Sequence, residues 1–225
     1  MRQPGNGFGT QAVETLREEL AARLDALEAY PIEEELAEKG DLAALLKLAL
    51  KNEVEASEIA AVWMPHTADV PIKLGFARQV GDEARHYRLI ADHLGRMGVS
   101  LDGFNPMAQG YSPLFQALAK LDTTLEQLAA GQFTREAIAM RRNEMFIAYL
   151  ERNGQPAVAA TYRDHIQPDE THHHQLGVKG LERLITGEAD LDKAREAMNL
   201  TLSIADEMKK AARQKVGAGA AIPGC

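Results

Sequence analysis

Asp82-Glu83-Ala84-Arg85-His86 and Asp169-Glu170-Thr171-His172-His173 share one pattern, Asp-Glu-x-x-His. On a helix, residues three apart lie on the same face. Each copy therefore offers a carboxylate oxygen and an imidazole nitrogen to one cation. That donor set suits iron or manganese better than a metal that prefers thiolates. A single copy is ordinary helix-surface chemistry. Two copies, each preceded by Asp, describe a pair of metals.

Two metals need further ligands, and the sequence holds a second echo in Asn52-Glu53 and Asn143-Glu144. Both helices of an antiparallel hairpin rise about 1.5 Å per residue, so residues at one height are centred on the turn. The midpoint of Glu53 and Glu83 is position 68, inside the Pro-bounded segment 65–71. The midpoint of Glu144 and Glu170 is position 157, just past the turn at 153–156. Two rivals pass the same height test. Glu55 does so against Glu83, although it points about 200° away from Glu53 around the helix. Glu53 is preferred because it keeps the apolar rhythm of Leu42, Leu46, Ala49, Ala56, Ala60 and Trp63. Glu136 does so against Glu170, with midpoint 153. Glu144 is preferred because it repeats the Asn-Glu pair. His174, beside His173, is a further candidate ligand.

The elements that must position these residues read as helices. Ala (36) and Leu (26) far outnumber Val (9) and Ile (10), which disfavours buried strands. The pattern predicts helices over 11–29 and 33–39, then 41–64 and 70–97. A connection over 99–132 follows, punctuated by Gly and Pro and carrying a helix near 113–129. Helices over 134–153, 156–186 and 189–215 complete the chain. This gives an N-terminal helical arm (1–40), a bundle with an extra C-terminal helix (41–216) and a Gly-rich tail (217–225). Helix, short loop, helix, long crossover, helix, short loop, helix is the layout of a four-helix bundle with one long connection. Tyr149 and Tyr162 are placed near the bundle centre.

Composition excludes several classes. The net charge of −8 argues against a general nucleic-acid-binding surface, which needs a basic patch. No run of about 18 apolar residues is present, so no membrane span is expected. The one cysteine, Cys225, cannot form an internal disulfide. The polar, Gly-rich start lacks a signal-peptide core, and a reducing cytoplasm is the expected setting.

The two Asp-Glu-x-x-His segments, taken with Glu53 and Glu144, resemble the Glu…Glu-x-x-His halves of the ferritin-like di-iron carboxylate superfamily over about residues 41–186. The resemblance implies an all-α, ferritin-like four-helix bundle. It implies that Glu53, Glu83 and His86 hold one iron and Glu144, Glu170 and His173 the other. Glu83 and Glu170 would bridge, while Asp82 and Asp169 would each accept the free N–H of the histidine in the other half. The implied cofactor is two Fe, with Mn as the alternative. No Cys-x-x-Cys is present, so the rubredoxin-type module of rubrerythrins is missing. Two full halves resemble the small di-iron oxygenases. The expected function is an O2-activating non-haem di-iron oxidoreductase acting on a small organic substrate, with room for an external electron-donor protein and for a homodimer. The second expectation is a peroxide-handling or iron-oxidising protein of the same fold, dimanganese catalase chemistry included.

Overall fold

The computed structural model describes residues 7–27 and 41–216. The expected helix over 33–39 and the expected tail over 217–225 lie outside the described residues. Every regular element described is helical. They are α1 (Gly7–Leu27), α2 (Leu42–Trp63), α3 (Val70–Arg96), α4 (Pro113–Leu118), α5 (124–152), α6 (156–184) and α7 (Glu188–Val216), with a single 3-10 turn at Met64–His66. No described helix is long and apolar enough to cross a membrane.

Local chemistry sets most of the ends. Asp41 caps α2 by accepting from the Ala43 N–H at 2.8 Å, and Asp69 caps α3 by accepting from the Ile72 N–H at 3.0 Å. A side-chain oxygen there satisfies an amide that has no partner within the helix. Pro71 follows in the first turn of α3, where its missing N–H costs nothing. At the α5–α6 turn, Gly154 has φ +71, a left-handed conformation that glycine adopts without a Cβ penalty.

The second hairpin departs from expectation. Its first helix begins at Thr124, ten residues before the position expected. A Thr123–Glu126 capping box starts it, and the helix continues through a π-helical segment, Leu128–Arg135, into Glu136–Arg152. Gly131, which reads as a breaker, is interior. A Cβ on it would lie 2.7 Å from the Trp63 ring, so its bareness admits the indole of α2. The second helix, α6, carries its own π-helical turn, Tyr162–Ile166, in which the Gln167 N–H reaches the Tyr162 carbonyl. Pro168 follows directly. Its ring and missing N–H break the regular ladder, and the wider turn absorbs the break.

Helices α2 and α3 form one antiparallel pair and α5 and α6 the other, with α3 packed on α6. The core falls into two apolar regions. One holds Trp63, Phe76, Leu128, Phe133 and Leu181, together with Leu16 of α1 and Met198 of α7. The other holds Leu46, Leu50, Ile90, Phe146, Leu150 and Ile166. Each of the four long helices contributes to both. Each also carries one acidic residue where it passes from one region to the other: Glu53, Glu83, Glu136 and Glu170. Helices α1 and α7 cover one end, with Arg195 of α7 paired to Glu19 of α1 at 3.0 Å and the Thr201 hydroxyl donating to the Ala130 carbonyl.

Candidate metal centre

At the junction of the two cores, four carboxylates and two imidazoles converge. Glu53, Glu83, His86 and Glu170 each offer a ligand atom within 4.8 Å of one another, and so do Glu83, Glu136, Glu170 and His173. Glu83 and Glu170 belong to both groups. The Glu-x-x-His spacing works as the helix geometry requires. His86 Nδ1 lies 3.0 Å from Glu83 Oε2 and 3.4 Å from Glu53 Oε2. His173 Nδ1 lies 3.3 Å from Glu170 Oε2 and 3.6 Å from Glu83 Oε1.

The outer nitrogens cross between hairpins. His86 Nε2 faces Asp169 Oδ2 at 3.0 Å, and His173 Nε2 faces Asp82 Oδ2 at 3.3 Å. Arg78 and Arg85 each bind both aspartates. The two cations hold these carboxylates in place on the outside of the pair of histidines.

Five of the six residues expected as ligands are brought together, and Glu144 is not. Glu144 is outside the cluster; its side chain is 56% exposed and lies 3.7 Å from Arg141. Glu136 occupies the fourth carboxylate position and is 1% exposed. The reason is rotation. Glu144 is eight residues beyond Glu136, which leaves its side chain about 80° further round the helix. Because α5 starts at Thr124, Glu136 lies mid-helix rather than in a first turn. The Asn-Glu echo carries a different signal: Asn143 is the buried member, lining a cavity beside the cluster.

Glu55 and His174 are drawn into contacts of their own. Glu55 is buried but serves the crossover, accepting from the Ser112 N–H at 2.7 Å and the Ser112 hydroxyl at 2.6 Å. His174 Nδ1 donates to the Phe133 carbonyl at 2.9 Å, away from the cluster. Tyr162 is buried beside the cluster and packs edge-on against Phe146.

A chain of buried amides joins the cluster from one side. Gln132 donates to Gln79 Oε1 at 2.6 Å, and Gln79 donates to Glu136 Oε1 at 2.8 Å and to Glu83 Oε1 at 3.2 Å. Arg135 donates to the same Glu136 oxygen at 2.9 Å. Sequence reasoning misses this chain. The signal for Gln79 is its place one helical turn before Glu83. Nothing in the sequence separates Gln132 from a surface glutamine.

The electrostatics show how tightly the groups depend on one another. Burial, aided by the Glu83 charge, pushes Glu53 up to about 7 despite the His86 imidazolium. Burial also raises Glu170, and the Glu83 and Glu136 charges add to it. For Glu83 burial works upward too, but His86 and His173 outweigh it and hold the carboxyl well below the usual range. Burial opposes the charged form of His86, yet Glu53 and Glu83 overcome it and push the imidazole up to about 12. His173 is raised against burial by Asp82, Glu170 and Glu83. The donor set thus holds itself together with protons on its histidines and on part of its carboxylates.

The residues fit a metal ion. The donors are hard oxygens and imidazoles, they lie close enough to share an ion, and Glu136 Oε2 is buried without a hydrogen-bond partner. A buried acceptor in that state is costly unless a cation or donor meets it.

Three cavities adjoin the cluster or its approach. One of about 30 Å3, the size of a water site, reaches Glu53, Glu83 and Glu170 beside Tyr162. A second of about 20 Å3 shares Asn52 and Arg135 with it and lies under the crossover. A third, of about 340 Å3, opens between α2 and α3 and ends on Glu53 and Glu83.

Comparison with protein-family models, with curated proteins and with solved structures finds no match for this chain.

Proposed function

We propose that this chain is an O2-activating non-haem di-iron oxidoreductase built on a ferritin-like four-helix bundle. The observation that carries the reading is the pair of Glu/His groups sharing Glu83 and Glu170, one acidic residue from each of four helices. Glu53 and His86 would hold one iron, Glu136 and His173 the other, with Glu83 and Glu170 between them. Bound there, two adjacent ferrous ions would supply two electrons together to O2, and manganese is the second metal suited to the same donors.

The chain's own residues do the rest. Asp169 and Asp82 accept the Nε2–H of His86 and His173, which fixes the tautomer and presents Nδ1 inward. Gln79 and Arg135 grip one oxygen of Glu136 and leave the other without a hydrogen-bond partner. The two apolar regions above and below keep water from those two sides, which reduces the screening of charges in the site. Tyr162 is raised by burial and by Glu53 and Glu170, so its hydroxyl keeps its proton beside the carboxylates.

The test is metal analysis of purified protein followed by O2 consumption with a reductant. The reading expects two ions per chain and O2 uptake that depends on iron. One ion or none would overturn the dinuclear site. Two ions with peroxide consumption and no reductant-driven O2 uptake would replace the oxidoreductase with a peroxide-handling protein.

A further inference from the structure

The groove between α2 and α3 touches two of the clustered carboxylates and is the widest of the three cavities, about 340 Å3. That size is typical of small-molecule sites. Val54, Ser57 and Ala84 line it together with Tyr87. Val54 and Ala84, one on each helix, lie at the level of Glu53 and Glu83. Two charges of opposite sign line its ends, Glu58 on α2 and Arg88 on α3.

Their placement follows from the antiparallel geometry. Counted from position 68, Glu58 is ten residues up α2 and Arg88 twenty residues up α3. The difference of ten residues separates their Cα atoms by about 15 Å along the pair. Helical side chains lean toward their own N-terminus. In α3 that brings Arg88 down toward the cluster, and in α2 it brings Glu58 up toward it. The remaining gap is roughly that of a five- or six-carbon chain. The Tyr111 hydroxyl donates to Glu58, while Glu58 Oε2 is buried with no hydrogen-bond partner. That oxygen is suited to an N–H donor. Arg88 is exposed at the other end, with a guanidinium that matches a carboxylate.

We infer that the α2–α3 groove binds an amino-carboxylate, a bipolar molecule with an ammonium at Glu58, a carboxylate at Arg88 and an apolar chain between them over Val54 and Ala84. Charge complementarity selects this class. A simple fatty acid pairs with Arg88 and leaves Glu58 unmatched, and a simple amine pairs with Glu58 and leaves Arg88 unmatched. The chain carbons then lie beside Glu53 and Glu83. That makes such a molecule the substrate class of the site, a step that rests on the di-metal reading.

The experiment is calorimetric titration of full-length protein loaded with Zn2+, which is redox-silent, using 6-aminohexanoate, hexanoate and hexylamine as probes. Tightest binding is expected for 6-aminohexanoate, by about tenfold over either of the others. Arg88→Gln should remove that advantage over hexylamine, and Glu58→Gln the advantage over hexanoate. Ala84→Phe should block all three, and Val54→Phe supplies a second block should the first disturb packing. Metal content and melting temperature of each variant report folding separately. No binding of 6-aminohexanoate to protein holding two ions, or equal binding by a folded Ala84→Phe or Val54→Phe variant, overturns the inference. The metal content of the wild type answers for the di-metal reading by itself, since the titration needs no turnover.

Discussion

His86 and Asp169 stand 83 positions apart and on different hairpins, yet His86 Nε2 lies 3.0 Å from Asp169 Oδ2. His173 and Asp82 repeat the arrangement in the opposite direction at 3.3 Å. Each Asp-Glu-x-x-His segment therefore supplies a Glu/His pair to the cluster on its own side and a carboxylate to the histidine of the other. The two halves of the site depend on each other, and removing one aspartate disturbs the opposite histidine.

Asp169→Asn should therefore act on the His86 side of the centre. The amide can still accept a hydrogen bond, but it gives up the charge that favours Nδ1 as a ligand. Loss of an outer partner of this kind costs about 10–100-fold in metal affinity or activity. Titration of metal-free protein with Fe2+ under anaerobic conditions would read it, with one tight and one weakened site expected. Two unchanged sites would remove Asp169 from any positioning role.

Glu136 and Glu144 make a paired comparison. Glu136→Gln should lower metal content from two ions toward one, because a neutral amide replaces a buried carboxylate in the cluster. Glu144→Gln should leave two ions, because Glu144 is half exposed beside Arg141. An exposed ion pair contributes under about 1 kcal/mol, so its stability should also barely move. The reverse result would return the fourth carboxylate to Glu144.

Much of this was legible in the sequence, and the exceptions have physical causes. Glu83, His86, Glu170 and His173 announce themselves because i, i+3 spacing on a helix is rigid. The Asp41 cap on α2 is local chemistry, equally readable. Glu136 was not separable from Glu144 because the choice depends on where α5 begins. Gly131 reads as a stop when the helix is judged alone. Only the Trp63 ring from another helix shows why a bare backbone is needed there. The π-helical turns are similarly non-local, apart from the hint of Pro168.

A second close approach of this kind can be tested directly. Gly177 of α6 meets the Gln132–Phe133 backbone of α5 so closely that a Cβ would lie 2.6 Å from the Phe133 nitrogen. Backbone cannot swing aside as a side-chain tip can. Gly177→Ala should therefore destabilise by about 1–3 kcal/mol, despite the better helix propensity of Ala. Gly81→Ala is the control: a Cβ there meets nothing within 4 Å, and about 1 kcal/mol of gain is expected. Thermal unfolding of both variants gives the comparison. A stabilised Gly177→Ala would mean that the two helices can part without cost.

The dependence on pH separates the metal-free from the loaded protein. Glu53 is raised to about 7 when folded, against about 4.3 in an unfolded chain. Its contribution to stability is present below the unfolded value and is lost as pH rises through the folded one. Glu170 shifts in the same direction. His86, raised to about 12, adds stability that is complete below about 6.5 and declines as pH rises above it. Glu83 is lowered instead, so its contribution is present above the unfolded carboxylate value and lost only in acid. Between about pH 5 and 8 the folded, metal-free chain thus binds more protons than the unfolded one, and its melting temperature should fall as pH rises. Metal takes the place of those protons. Its apparent affinity should therefore increase over the same range, and uptake should release protons into a weakly buffered solution. Free metal at 100-fold above its dissociation constant adds about 2.7 kcal/mol, so the gap between loaded and metal-free melting temperatures should widen from pH 5 to pH 8. Scanning calorimetry at four pH values, with chelator and with Mn2+, measures both slopes. A gap that narrows with rising pH would mean that the metal does not displace protons from these carboxylates and imidazoles, and the centre would have to be sought elsewhere.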